Sequence, residues 1–550
     1  MKNFKVKNPI VWLSVIISLY SLIAFFRLGT FHSPQTVWET ENNGTEIILD
    51  FGKVEEIDSI VYFLGNYGSR YFSLETSMDK SNWENADSLR MAQVYQWHAD
   101  KISKNARYLK LTTLNVFTKI NELLFLDSSG NILTPLNSFE YPELFDETEC
   151  YIGKATYETG TVFDEPVYAR TGFEYLVGER PFEDTHPPLG KILIAPGIAL
   201  FGMNPFGWRF MGTLAGILML IVLAAFSYQL FENHWIAVPV VSIFAFDFMH
   251  FTHTRLAQVD SFLVLFIICM FYFLYRYGRT LYESEHSFQK PVMNLVLMGV
   301  NLGLAISCKW SGAYCIPGII ILVLCCTCHS LRKRIITNKE FFTLAFVFLI
   351  CLILIPIAVY MISYIPYKPI DESLGYFDAM IHNQISMFKF HTGLSAGNPE
   401  SAKWYQWPLM AVPLTYCRLT SSNLKECVYL FGNPVFWLSG ICAVFYCIYD
   451  AWNSKSSKSL FLIVMYLSPI LPWILIPRSS FIYHYFPSLP ALALMLGYIG
   501  DKWKYKGFLL VTAIAGFAIS VFIVFYPVLS GLPVPGEYVE FLEWMPWWNF

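Results

Sequence analysis

Charge is what this chain has least of. Only 15% of its 550 residues are Asp, Glu, Lys or Arg, against 55% hydrophobic and 17% aromatic, a balance that excludes a soluble protein of this length. The net charge of -4 lacks the basic excess that attracts nucleic acid, so no nucleic-acid partner is expected. Cysteine and histidine clusters at metal-ligand spacing are missing too. Cys325, Cys326 and Cys328 stand close together without such partners, and no metal is expected. Most of the 12 cysteines, such as Cys269, Cys315, Cys351 and Cys442, fall inside apolar runs, where a thiol behaves as a small hydrophobe. Cys417 and Cys427, in a polar stretch between such runs, are the pair open to a disulfide. The first apolar run, at 8–26, lacks a small-residue cleavage site, so with Lys2, Lys5 and Lys7 before it the segment reads as a retained signal anchor.

Long apolar runs are plentiful. Beyond the anchor, further spans are expected near 207–230, 235–252, 258–277, 292–308, 312–328, 341–365, 433–450, 459–476, 481–498 and 507–527, about eleven transmembrane helices in all. Threaded alternately, they put Arg276, Arg279 and Lys290, then Arg332, Lys333, Arg334 and Lys339, then Lys455 and Lys458, then Lys502, Lys504 and Lys506 on the side of the N-terminus. Every basic loop thus satisfies the positive-inside rule. Counting the apolar segment 188–203 as a full span would reverse that, so it is read as interfacial or re-entrant. Asp164, Glu165, His186, Arg209, Arg255, Asp260, Lys309, His391, Arg478 and His484 then gather on the external face. Ionisable groups at a membrane edge are costly, and so many on one face suggest a single site.

One stretch, roughly 33–185, has no long apolar run. Short alternating runs such as 46–51, 57–64, 71–76 and 108–112, separated by Gly, Asn, Asp and Ser, read as strands of an antiparallel β-sandwich in the first external loop. The pattern ILDFGKVEEIDSIVYFLGN, SLETSMDKSNW, ARYLKLTT and INELLFLD resembles discoidin-like (coagulation factor type C) jelly-roll domains. That resemblance implies a carbohydrate or surface ligand. Trp38, Trp83 and Trp97 are the side chains suited to stack on a sugar, although Trp83 sits where the family has a core tryptophan. The domains are therefore expected as an anchor at 1–30, the insert at 31–145, an external catalytic loop at 146–206 and a transmembrane core at 207–550.

The segment 161–191, TVFDEPVYARTGFEYLVGERPFEDTHPPLGK, is unusually acidic and aromatic for a return to the membrane. Asp164 and Glu165 are adjacent, and neighbouring side chains diverge, so one acts while the other organises. A partly desolvated carboxylate has a raised pKa and makes a better general base toward a hydroxyl.

FDE at 163–165, HPPLGK at 186–191, NPFGWRFMGTLAG at 204–216, DFMHFTHTRLAQVDSFLVLF at 247–266, CKWSG at 308–312, FHTGLSAGNPESAKWYQWPL at 390–409, GNPVFW at 432–437 and PRSSFIYHYFPSLP at 477–490 together resemble the protein O-mannosyltransferase family of the GT-C superfamily. The closing YPVLSGLPV and WMPWWNF look like its bacterial branch. The resemblance implies a polytopic helical GT-C fold and transfer of mannose, with inversion, from polyprenyl (dolichyl) phosphate to Ser or Thr hydroxyls of proteins. It makes Asp164 the catalytic base beside Glu165. The lipid-linked sugar is a co-substrate, and no cofactor or metal is required. It also implies a multi-pass plasma membrane enzyme with its site outside, or an endoplasmic reticulum enzyme in a eukaryote.

A lipid phosphate needs cationic hydrogen-bond donors at the interface, and the planar fork of arginine suits its oxygens. His186, Arg209, Arg478, Tyr483 and His484 are the candidates, with Lys191, Arg255, Asp260, Lys309 and His391 in support. Arg209 reads equally as a snorkelling anchor, Arg478 with its aromatic neighbours as an interfacial belt, and Arg255 with Asp260 as a local ion pair. The loop from about 366 to 432 is too short for the β-trefoil (MIR) domain of the eukaryotic members, leaving acceptor selection or a steric role to the insert. Two other classes compete: a GT-C transferase acting on a lipid or wall glycan, and a sugar-binding transporter or receptor. The latter calls for charges near the bilayer midplane.

Overall fold

A computed structural model of the chain describes residues 8–65, 70–92, 94–282, 288–394, 397–421 and 423–550. They form two compact units. One comprises Arg27–Phe173 with Gly197–Trp208, the other the remaining segments up to Phe26, Glu174–Pro196 and Arg209–Phe550. The stretch 146–206 is therefore shared between the units.

The first unit is built on strands β1 (Trp38–Thr40), β2 (Glu46–Phe63), β3 (Arg70–Ser77), β4 (Glu84–Met91), β5 (Trp97–Thr113), β6 (Thr118–Ile120), β7 (Glu122–Leu126) and β8 (Ile132–Leu133). Six of them form an antiparallel sheet in the order β4-β3-β5-β2-β7-β8, and β1 pairs with β6. Ile47, Leu49, Phe72, Leu74, Leu109 and Leu111 are buried at alternate positions, the period-two pattern of a sheet face turned to a core. The runs expected as separate strands at 46–51 and 57–64 are one strand, β2, whose register slips between Asp50 and Glu55. Gly52 takes φ +78° there, and a Cβ on it would meet Leu136 Cδ1 at 2.5 Å, so only glycine fits this bulge. Trp97 is buried edge-on to Phe63 at 5.4 Å. Trp83 is half-buried beneath the Lys110 ammonium, 4.8 Å from its ring centre.

Among the described residues, seven helices are long and apolar enough to cross a membrane: Pro205–Leu230, Val259–Thr280, Gln289–Cys308, Trp310–Arg332, Asn338–Ser363, Pro434–Asn453 and Lys504–Ser530. The span expected at 235–252 is two pieces, His234–Ala245 and Phe248–Thr254, bent by 61°. Asp247 makes the bend. Its carboxylate accepts His250 N at 3.2 Å, capping the second piece, and takes Asn433 N at 3.0 Å and Trp437 Nε1 at 2.9 Å. These donors let a carboxylate sit in an apolar interior. Three expected spans are shorter helices, Pro9–Phe25, Ser457–Leu467 and Leu489–Lys502, so among the described residues length and apolarity by themselves support seven of the eleven expected spans, or eight with the bent pair. The segment read as interfacial is broken into Leu189–Ile192 and Ala195–Phe201.

Cys417 and Cys427 are not joined by a disulfide. They lie on β9 (Leu414–Ser421) and β10 (Leu424–Leu430), where Cys417 faces Val428 and Cys427 faces Arg418. That register sends the two thiols to opposite faces of the ribbon, so the disulfide left open by the sequence does not form.

Candidate functional site

Four separated segments supply one cavity of about 390 Å³ in the helical unit. The loop before Leu189 gives His186 and Pro187, the start of Trp310–Arg332 follows Lys309, and the stretch after Trp473 gives Ile476, Pro477 and Arg478. The end of Tyr376–Gly393 adds Phe388 and His391, and Trp310 and Trp473 complete mostly apolar, aromatic walls.

His186 is positioned by its own loop. Glu183 accepts from His186 Nδ1 at 2.9 Å and pairs with Lys191, whose ammonium also donates to the carbonyls of Glu183 at 3.2 Å and His186 at 2.6 Å. Burial works against ionisation of Glu183, but the Lys191 ammonium and His186 overcome it and hold the carboxyl well below its ordinary range. Burial also keeps His186 below its usual pKa, despite the pull of Glu183. The imidazole is therefore neutral, and the Glu183 carboxylate at Nδ1 places its proton there. Lys191 is fully buried and committed to three acceptors, so its role is to hold the loop.

Arg478 Nη1 lies 3.0 Å from His391 Nδ1, and His391 Nε2 lies 2.8 Å from the Thr185 carbonyl. An arginine only donates, so Nδ1 is the acceptor and the ring proton sits on Nε2. Burial, with His186 and Arg478 nearby, pushes the His391 pKa down to about 4. Arg478 also lies 5.9 Å from the Trp473 ring centre.

Lys309 is the other cation on the cavity, and its charge is already matched. Its ammonium is 2.9 Å from both Asp260 oxygens and 5.0 Å from the Tyr483 ring centre. Behind Asp260 stands His253, with Nε2 3.9 Å from the carboxylate, Nδ1 2.5 Å from the Tyr416 hydroxyl, and its ring stacked on Tyr483. Asp260 thus pairs with Lys309 and not with Arg255. Arg255 donates instead to the carbonyls of Ala24 and Phe26, at 3.0 Å each, clasping the end of the first helix.

The remaining candidates are not among the residues that line the cavity. Arg209 is wholly buried, which removes the snorkelling reading. His484 is enclosed between Trp407 and Trp473, with Nδ1 2.9 Å from the Phe481 carbonyl, and so shapes the turn that follows Arg478. Asp164 and Glu165 belong to the β-rich unit, at the start of Glu165–Val177. Glu165 is buried and turns back to accept Val162 N at 3.0 Å, while Asp164 is half-buried.

Glu183, His253, Tyr416 and Trp473 were missed as individual residues. Glu183 was detectable as the acid three residues before His186 and eight before Lys191. Tyr416 carries no such signal.

Two family models match the chain: "Dolichyl-phosphate-mannose-protein mannosyltransferase" over residues 201–366 and "C-terminal four TMM region of protein-O-mannosyltransferase" over 376–548. The polyprenol-phosphate-mannose–protein mannosyltransferase of Mycobacterium tuberculosis is 26% identical over 470 residues, covering 72% of this chain and 88% of that protein. The Corynebacterium glutamicum protein of that name is 24% identical, covering 66% and 81%. Among solved structures, the Saccharomyces cerevisiae protein O-mannosyltransferase Pmt1–Pmt2 complex bound to the sugar donor has a similar fold. Its TM-score is 0.62 at 15% identity, covering 71% of this chain and 89% of that one.

Proposed function

This chain belongs to the protein O-mannosyltransferase family, and from that footing we propose that it moves a mannosyl unit from a polyprenyl phosphate to a Ser or Thr hydroxyl of a protein, with inversion. The observation that carries this reading is the charge balance of the cavity. Lys309 is neutralised by Asp260, whereas Arg478 faces neutral His391 and has no carboxylate partner among the described residues. In the transfer, the bond from the anomeric carbon to the phosphate oxygen breaks and its electron pair stays on the phosphate. That group gains one negative charge as it leaves. A guanidinium with no competing anion is suited to stabilise that charge, and more strongly in a partly dry cavity than in water.

The apolar walls of Trp310, Trp473 and Phe388 suit the start of a lipid chain, and His186 lines the same cavity. Asp164 is the base in this account, taking the acceptor proton as oxygen attacks the anomeric carbon, with Glu165 holding the turn. Base and guanidinium together supply what the transfer needs, and no metal is invoked. The site is assigned to the external membrane face on the distribution of the basic loops. The β-rich unit is read as a discoidin-like module that contacts carbohydrate or acceptor.

The test is the purified full chain with polyprenyl-phosphate mannose and a Ser/Thr peptide. Mannosylated peptide and free polyprenyl phosphate in equal amounts are expected. Transfer only to a lipid or glycan acceptor would overturn the assignment of protein as substrate.

A further inference from the structure

The helix that starts beside Asp260 ends at a second polar cavity. Val259–Thr280 carries Arg276 and Arg279 in its last turns. At 1.5 Å of rise per residue they lie roughly 25 Å along the axis from Asp260. There the cavity encloses about 410 Å³ and is lined by Tyr228, Gln229, His234, Arg276, Arg279 and Thr280. It is thus separate from the site above.

Part of this arrangement is ordinary helix capping. Arg279 Nη1 donates to the Gln229 carbonyl at 2.9 Å and to Gln229 Oε1 at 2.8 Å, a favourable use of a cation at the end of Pro205–Leu230. Capping leaves three things unexplained. The other edge of that guanidinium has no protein acceptor among the described residues. Arg276 stands one turn away, 5.8 Å from the Tyr272 ring centre, with no carboxylate partner among the described residues either. The Tyr228 hydroxyl, whose ring packs 4.5 Å from that of His234, is shut off from solvent with no hydrogen-bond partner. Two like charges a turn apart repel, and a sequestered hydroxyl without a partner is costly. One anion with several acceptor oxygens relieves all three.

The cavity sits at the ends of two membrane-length helices, the depth at which lipid headgroups lie. We propose that it binds a phosphate group, supplied by the headgroup of an anionic phospholipid. The two arginines grip the oxygens in forked geometry and the Tyr228 hydroxyl donates the remaining bond.

The experiment is native mass spectrometry of the full chain in neutral detergent, offered phosphatidylglycerol, phosphatidylcholine or inorganic phosphate. Phosphatidylglycerol is retained over phosphatidylcholine, and Arg276→Gln with Arg279→Gln lowers its retention roughly tenfold or more. Tyr228→Phe, the milder change, lowers it less. Lys455→Gln, which removes a charge outside the cavity, leaves it unchanged. Unaltered mannosyl transfer by each variant shows that it is folded. Displacement of the lipid by inorganic phosphate keeps the phosphate assignment and makes free phosphate its source. Equal retention by the arginine double variant and the unaltered chain overturns the proposal, as does an equal loss in Lys455→Gln.

Discussion

The ammonium of Lys309 sits 2.9 Å from each carboxylate oxygen of Asp260, whereas Arg478, on the same cavity as Lys309, is hydrogen-bonded at 3.0 Å to His391 and has no carboxylate partner among the described residues. That asymmetry divides the two residues into different roles.

Arg478→Ala is expected to lower turnover by about 100-fold or more, the usual effect of removing one donor aimed at developing charge. Arg478→Lys recovers only part of it, because a point charge does not reproduce the fork. Single-turnover rates with saturating donor check this, and a change confined to acceptor KM would contradict it.

Lys309→Met leaves Asp260 buried and unpaired, at a cost of about 3–5 kcal/mol in stability. Adding Asp260→Asn removes the stranded charge and recovers most of the loss. Thermal melts of the two single variants and the double variant form the cycle. Additive losses would mean that the pair is not coupled.

The seven long apolar helices were legible because apolar runs are a local property of sequence. The pairing of Lys309 with Asp260, 49 residues apart, was not, since several acids and bases compete for each partner and only the packing of Val259–Thr280 against Gln289–Cys308 decides among them. The bend at Asp247 had a visible trace, one carboxylate inside an apolar stretch, yet its partners Asn433 and Trp437 are remote in the chain. The fate of Cys417 and Cys427 turned on strand register, which spacing does not reveal. Of the candidate cations, those lining the cavity and those buried elsewhere, such as Arg209, have the same residue chemistry, and only three-dimensional burial separates them.

Acid should weaken the helical unit. His391 is held at about 4 in the folded chain against an ordinary 6.5, and His186 is lowered as well. Between those pH values the unfolded chain binds protons that the native imidazoles refuse, so stability falls as pH drops through about 6.5 toward 4. Glu183, with its pKa depressed, adds a further loss as pH falls below the ordinary carboxylate value. Melting temperature measured from pH 7.5 to 5 should decline, and less steeply in His391→Gln. A flat profile would mean that these rings titrate in the folded chain as they do in the unfolded one.

The most direct test compares the purified chain with its Asp164→Asn variant, using polyprenyl-phosphate mannose and an acceptor peptide while measuring donor binding separately. The account predicts mannosyl transfer by the unaltered chain and a loss of roughly 100- to 10,000-fold in the variant, the range for a general base, with donor affinity nearly unchanged. Equal turnover in the two proteins would contradict it.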